Sequence, residues 1–339
     1  RMPSRSSSDA SAAADASELD REGMRLTVTG DVARTYFSIR FLDAEEQVLQ
    51  EAVDLRNKAV EIVNGRFTGG VGNEIDLARA QTELATAEAE LRGVRRQRAA
   101  LENALAVLCG KQPSSFTLPV LADPVAEITV PAGLPSELLV RRPDIAASMA
   151  RMQEANARVG VATAAFYPSF SLTGSAGFVS ADLASVFDAS SRVWSFGPSM
   201  FVPIFEGGRN EARKLEAEAL YREREASYRQ TLLVAFREVE DSLSALGELK
   251  GEIDFQIQAQ RAADRTFELA NGRFRQGLVT YLDVVDAARS QLDSRRASVR
   301  LQGLQAETTV MLIKSLGGGW RDDESDAVMA TPQPEQTQP

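Results

Sequence analysis

The residues best suited to chemistry stand in two short stretches that share one pattern. Asn64-Gly65-Arg66-Phe67-Thr68-Gly69-Gly70 leads to Asp76, and Asn271-Gly272-Arg273-Phe274-Arg275-Gln276-Gly277 leads to Asp283, Asp286 and Arg289. Asn, Gly, Arg, Phe, Gly and Asp hold matching places, so this is an internal repeat, which constrains architecture before any single residue does. The chemistry open to it is charge and hydrogen bonding, not bond making. The 339-residue chain has no histidine, which removes the commonest general base and metal ligand. Its one cysteine, Cys109, permits neither an internal disulfide nor a thiolate zinc site. No pair of acids stands out for metal-independent carboxylate catalysis. No catalytic residue, metal site or cofactor is expected.

The repeat must be positioned by helices. Residues Leu77, Ala80, Leu84, Ala87, Leu91 and Val94 alternate in steps of three and four, Arg98 interrupts, and Leu101, Leu105 and Leu108 resume. Leu232, Phe236, Val239, Leu243 and Leu246 follow the same rule. These are coiled-coil seams, narrower than the stripe of a globular-core helix. From about Gly208 to Phe274 no proline intervenes, so one helix of ~100 Å is expected, with Gly247 and Gly251 as places for a bend or local break. Gly70 and Gly277 stand where a left-handed residue ends the incoming helix. Asn73-x-x-Asp76 and Thr280-x-x-Asp283 resemble capping boxes opening the outgoing one. Asp76 and Asp283 therefore read first as caps. Asp286 lies one turn further in, where capping does not explain it, and is within i+3 reach of Arg289. Arg66 and Arg273 suit the helix C-terminal dipole, and Phe67 and Phe274 suit packing of the tip. The turn residues Gly70-Val71-Gly72 and Gly277-Leu278-Val279 put apolar side chains on a loop, either as a C-cap contact or as an interface.

One segment departs from helix. After Tyr167-Pro168, residues 169–179 alternate large apolar with small polar side chains, and residues 194–205 do so imperfectly, with many aromatics and two prolines. Each run has about the ~9–11 residues of a tilted transmembrane strand. A soluble hairpin packed on the helices is the alternative. No apolar run approaches the ~20 residues of a spanning helix. A net charge of −10 argues against a nucleic-acid partner. The ends, residues 1–17 and 319–339, read as disordered by composition, and Cys109 as a small buried hydrophobe.

The order of these features resembles the outer-membrane efflux proteins, the TolC/OprM-type channels, and within them the NodT-like branch that serves drug-efflux pumps. The resemblance is carried by Val32-Ala33-Arg34-Thr35-Tyr36-Phe37, by Leu139-Val140-Arg141-Arg142-Pro143-Asp144-Ile145, by Phe166-Tyr167-Pro168-Ser169-Phe170, by Phe196-Gly197-Pro198-Ser199 through Pro203-Ile204-Phe205-Glu206-Gly207-Gly208-Arg209, and by both Gly-Arg-Phe tips. It covers roughly residues 18–319. The fold it implies is mainly α: long antiparallel coiled-coil helices forming a periplasmic α-barrel in a homotrimer, with an inserted β-hairpin contributing to an outer-membrane β-barrel. The expected domains are a first helical hairpin (18–110, tip 66–76), a linker (111–135), a rising helix (136–166), a transmembrane hairpin (167–206) and a second helical hairpin (207–318, tip 273–283). Only the second repeat has its rising helix and strands. On the order of 100 residues of counterpart ahead of Val32 are missing, and three such chains supply six strands, fewer than the about eight of the smallest bacterial barrels. A fragment of a longer channel is expected, with a degenerate gene as the alternative, and the lipid-carrying cysteine usual in this branch is not seen.

The resemblance implies a passive duct of a tripartite RND-type system, exporting drugs or other small molecules. It implies a periplasmic adaptor at the tips (Gly70, Val71, Gly72, Gly277, Leu278, Val279), an inner-membrane transporter, and outer-membrane lipid around the barrel. The periplasmic gate maps onto Leu282, Asp283, Asp286 and Arg289, with Asp76 in the equivalent first-repeat place. In a trimer each becomes a ring, and a carboxylate ring favours cations at a narrow pore. A type I secretion duct and a soluble structural coiled-coil protein remain alternatives.

Overall fold

A computed structural model of the chain describes residues 5–121, 142–179 and 187–318. The expected tail at 319–339, most of the linker, and residues 136–141 of the rising helix lie outside them. The order is α1 (Arg5–Thr68), α2 (Glu74–Leu108), a short 3-10 turn (Pro113–Ser115), α3 (Pro143–Ala164), β1 (Ser169–Phe178), β2 (Arg192–Phe201), α4 (Arg209–Arg275) and α5 (Tyr281–Ser315). Two compact units result, one of residues 1–21 and 143–233, the other of residues 22–142 and 234–339.

Three local expectations are corrected. The N-terminal stretch read as disordered is helical from Arg5, because alanines recur through residues 10–16 and alanine has the highest helix propensity. Gly247 and Gly251 do not interrupt α4, which runs unbroken for 67 residues. Cys109 is exposed, not buried. It caps the C-terminus of α2, one residue before Gly110 turns left-handed (φ 67°), so it has left the packed face of the helix.

In the first unit, β1 and β2 form an antiparallel hairpin with Phe170 opposite Met200, Leu172 opposite Pro198 and Ala176 opposite Trp194. That face is apolar. The other carries Ser171 opposite Ser199 and Ser175 opposite Ser195, with hydroxyl-to-hydroxyl hydrogen bonds of 2.7 and 2.8 Å. Pro198 is tolerated because a two-stranded sheet leaves each strand an open edge. Neither face of this unit's sheet is covered: Phe170 is 76% exposed and Trp194 77%. At the hairpin's base, Asn210 Nδ2 donates to the Ala165 carbonyl at 3.3 Å, and farther back on α3 Arg151 pairs with Asp20 of α1.

In the second unit, Leu49 and Val53 of α1 pack with Ala87, Leu91 and Val94 of α2 and Leu292 of α5. Of the seam residues read from sequence on α2, Ala80, Ala87, Leu91, Val94 and Leu105 are buried and Leu77, Leu84, Leu101 and Leu108 half-buried. Arg98 interrupts that seam for a reason the structure supplies. Its Nε donates to Asp43 at 2.6 Å, its Nη1 to Glu102 at 2.9 Å and its Nη2 to the Leu118 carbonyl at 2.8 Å. Arg40 adds Asp43 at 2.8 Å and the Pro119 carbonyl at 2.7 Å. The chain leaving α2 is strapped to both helices by charge, with Asp43 only 2% exposed at the centre.

Helices α1 and α5 approach closely where Gly303 faces Phe41. A Cβ at Gly303 would stand 2.9 Å from the ring's Cγ, whereas one at Gly23 meets nothing within 4 Å. Gly23→Ala should therefore stabilise by up to about 1 kcal/mol through helix propensity. Gly303→Ala should instead destabilise, since overpacking of about 1–3 kcal/mol exceeds that gain. Thermal unfolding followed by circular dichroism checks both, and a stabilised Gly303→Ala would disprove the close contact.

Candidate functional site: the paired helical tips

Both tips are built alike. In the first, the Gly70 N–H donates to the Phe67 carbonyl and the Val71 N–H to the Arg66 carbonyl, each at 3.0 Å. In the second, Gly277 donates to Phe274 at 2.9 Å and Leu278 to Arg273 at 3.0 Å. These are two Schellman caps, closed by glycines at φ 75° and 76°. Val71 (73%) and Leu278 (68%) stay exposed, while Val279 is half-buried. Gly72 has no room for a side chain, because a Cβ there would meet the Phe67 amide nitrogen at 2.6 Å.

The outgoing helices open differently. Thr280 and Asp283 form a complete capping box. The Thr280 N–H and Oγ1 donate to Asp283 Oδ2 at 2.9 and 2.7 Å. These bonds, the hydroxyl's foremost, hold the Asp283 carboxyl below the usual carboxylate range. A depressed carboxylate stabilises the fold above its ordinary pKa, and that contribution is lost as pH falls through the folded value. The first tip has half a box. Asn73 Oδ1 accepts from the Ile75 N–H at 3.0 Å, and Asp76 faces Arg79 at 3.8 Å instead of reaching back.

The tips also meet. The Arg66 guanidinium lies 4.9 Å over the Phe274 ring, and Val63, Ala80, Tyr281, Val284 and Val285 form one buried cluster. The C-terminal arginine and tip phenylalanine expected to serve separate helices thus bind the two repeats together, worth about 0.5–1 kcal/mol. Burial, then the Glu83 carboxylate, pushes the Tyr281 phenol up and keeps it neutral.

Among the gate residues expected from sequence, Leu282, Asp283 and Asp286 lie on the exposed side of α5. Arg289 does not pair with Asp286. Its Nε donates to Glu83 Oε1 at 2.9 Å, with Nη2 on the same oxygen. Glu83 was not foreseen. It is 7% exposed and also meets Arg56, whose Nη2 lies 3.4 Å from Oε2 and whose Nη1 donates to the Glu83 carbonyl at 3.2 Å. One heptad further, Arg296 Nη1 donates to Glu90 at 2.9 Å, and Arg296 also holds Glu45 at 2.8 Å. The shared spacing of Glu83 with Glu90 and of Arg289 with Arg296 is the sequence signal that marks this ladder.

The model of the outer membrane efflux protein family matches residues 4–111 and 134–318. The chain belongs to that family. It is 32% identical over 307 residues to the cation efflux system protein CusC of Escherichia coli K12, covering 90% of this chain and 67% of that protein. It is 35% identical over 308 residues to the solvent efflux pump outer membrane protein SrpC of Pseudomonas putida, covering 90% and 65%. The chain thus spans about two thirds of these relatives. Among solved structures, the outer membrane protein VceC of Vibrio cholerae superposes with a TM-score of 0.83 at 32% identity, covering 93% of this chain and 75% of that one. The outer-membrane channel OprN superposes at 0.88 and 29% identity, covering 93% and 72%. The mainly helical fold with a small β part is that of the outer membrane efflux channels.

The two halves of the Glu83 contact differ in weight. The Arg56 half is buried, and removing its carboxylate leaves an uncompensated charge, a cost of about 3–5 kcal/mol. The Arg289 side chain is 57% exposed, so its half is worth under about 1 kcal/mol. Glu83→Gln should accordingly raise amide hydrogen exchange in the tip halves of α1, α2 and α5. Arg289→Ala should leave exchange in α1 and α2 near that of the parent chain. Equal effects of the two would show that the weighting is wrong.

Proposed function

We propose that this chain acts as the outer-membrane duct of a tripartite RND-type efflux system, passing small molecules outward without chemical change. The observation that carries this reading is the uncovered β-hairpin with one apolar and one hydroxyl face. A soluble insert would cover the apolar face, whereas Phe170, Leu172, Trp194, Phe196 and Met200 are all exposed. Lipid on that side and water on the other satisfy both faces. A pair of strands alone has two open edges, so the reading requires further strands from other copies, as in a homotrimer.

At the second tip, Leu282 and Asp286 stand on the exposed side of α5, on either side of the capped Asp283. In a trimer they form an apolar ring and a carboxylate ring around the periplasmic mouth, with Arg289 held back by Glu83. Val71 and Leu278, exposed at the two turns, are the contacts offered to a periplasmic adaptor, which joins the duct to the inner-membrane transporter. Opening displaces α4 and α5 at the tip, a two-state change biased by adaptor contacts. Asp283 keeps a structural part, since its carboxylate is spent on Thr280.

Replacing Asp286 with Asn should lower the cation preference of single channels in planar bilayers, while Asp283→Asn should mainly loosen the tip. Unchanged selectivity in the Asp286 variant would remove it from the pore.

A further inference from the structure

Helix α2 has a second seam that its own chain leaves uncovered. Besides the buried positions, Ala78, Thr82, Ala85, Ala89, Arg92 and Arg96 follow steps of four and three along another face, and all are exposed. Helix α4 also leaves one face exposed. On α4 the residues Val239, Ser242 and Leu249 are buried, while Leu243, Gly247, Gly251, Phe255, Ala262 and Leu269 are exposed in steps of four or seven. Gly247 and Gly251 meet nothing within 4 Å and cost α4 helix propensity, with no gain inside the chain.

The two faces complement each other. One offers alanines and two long cations; the other offers large apolar groups, two glycines and carboxylates. Arg92 and Arg96 have no ion pair among the described residues, nor have Glu252 and Asp254. Counting from the tips, Arg92 and Arg96 stand about 27 and 33 Å along α2 from Glu74. Glu252 and Asp254 stand about 35 and 32 Å back along α4 from Arg275. Copies related by rotation keep their tips level, so these charges come within side-chain reach. The glycines beside them leave space for the arginine stems.

We propose that α2 of one copy docks on α4 of the next through this seam, Arg96 meeting Glu252 and Asp254, and the alanines seating Phe255 and Leu269. The contact uses different surfaces on the two copies, so it closes only as a ring. This rests on the oligomeric duct reading above and names the surface that builds it.

The test uses the full chain with Cys109→Ser, carrying Ala89→Cys and Ala262→Cys together and oxidised in isolated outer membranes. A ladder of dimer and closed trimer on non-reducing gels is expected. Adding Arg96→Glu should cut the cross-linked fraction about tenfold, and adding Glu252→Arg should restore it. A trimer by native mass without any ladder overturns this seam and leaves the duct reading standing. Failure of the Cys109→Ser parent to form any oligomer overturns both. A ladder insensitive to the charge changes overturns the pairing of Arg96.

Discussion

The helical tips of this protein depend on a carboxylate out of water. Glu83 sits between two arginines from two other helices, and its burial is tolerable only while both the Arg56 contact and the backbone geometry hold. Three helices are thereby committed to one arrangement. The apolar cluster around Tyr281 and Val285 packs beside it, but apolar contacts are non-directional. The charge ladder supplies direction. It also divides the labour, since a desolvated contact holds α1 to α2 and a solvated one holds α5.

The same economy appears where the chain leaves α2. Asp43 is almost inaccessible, yet it serves Arg40 and Arg98, which in turn hold the carbonyls of Leu118 and Pro119. An extended connector has no ladder of its own to satisfy its backbone, and here side-chain charges take that part. The hairpin solves its polar problem differently, with serines bonding across the strands on one side and exposed apolar side chains on the other.

Much of this was legible in the sequence where local geometry is strict. Gly70 and Gly277 announced left-handed caps because few other residues adopt that backbone, and Thr280-x-x-Asp283 announced a box because the spacing admits little else. The seam on α2 was legible because a coiled coil repeats. Glu83 was not, since a buried acid departs from the apolar pattern and its two partners lie far away in sequence. Arg289 was assigned to Asp286 because i+3 spacing is visible in one dimension and a contact across helices is not. The exposed second seam of α2 was hidden for another reason: alanine and threonine read as filler until burial shows which face is bare. Composition misled at residues 5–17, where serine and aspartate among alanines suggested disorder.

The ladder has a consequence for alignment. Glu83 and Glu90 are one heptad apart, and so are Arg289 and Arg296, so sliding α5 by seven residues along α2 would re-pair Arg289 with Glu90. Charge alone does not distinguish the two registers. What does is the company each rung keeps: Arg56 stands beside Glu83, and Glu45 takes both Arg296 and Arg300. The cheapest error open to this fold is therefore a whole-heptad slip. Length changes of seven residues in α5 should be far better tolerated in evolution than changes of two or five.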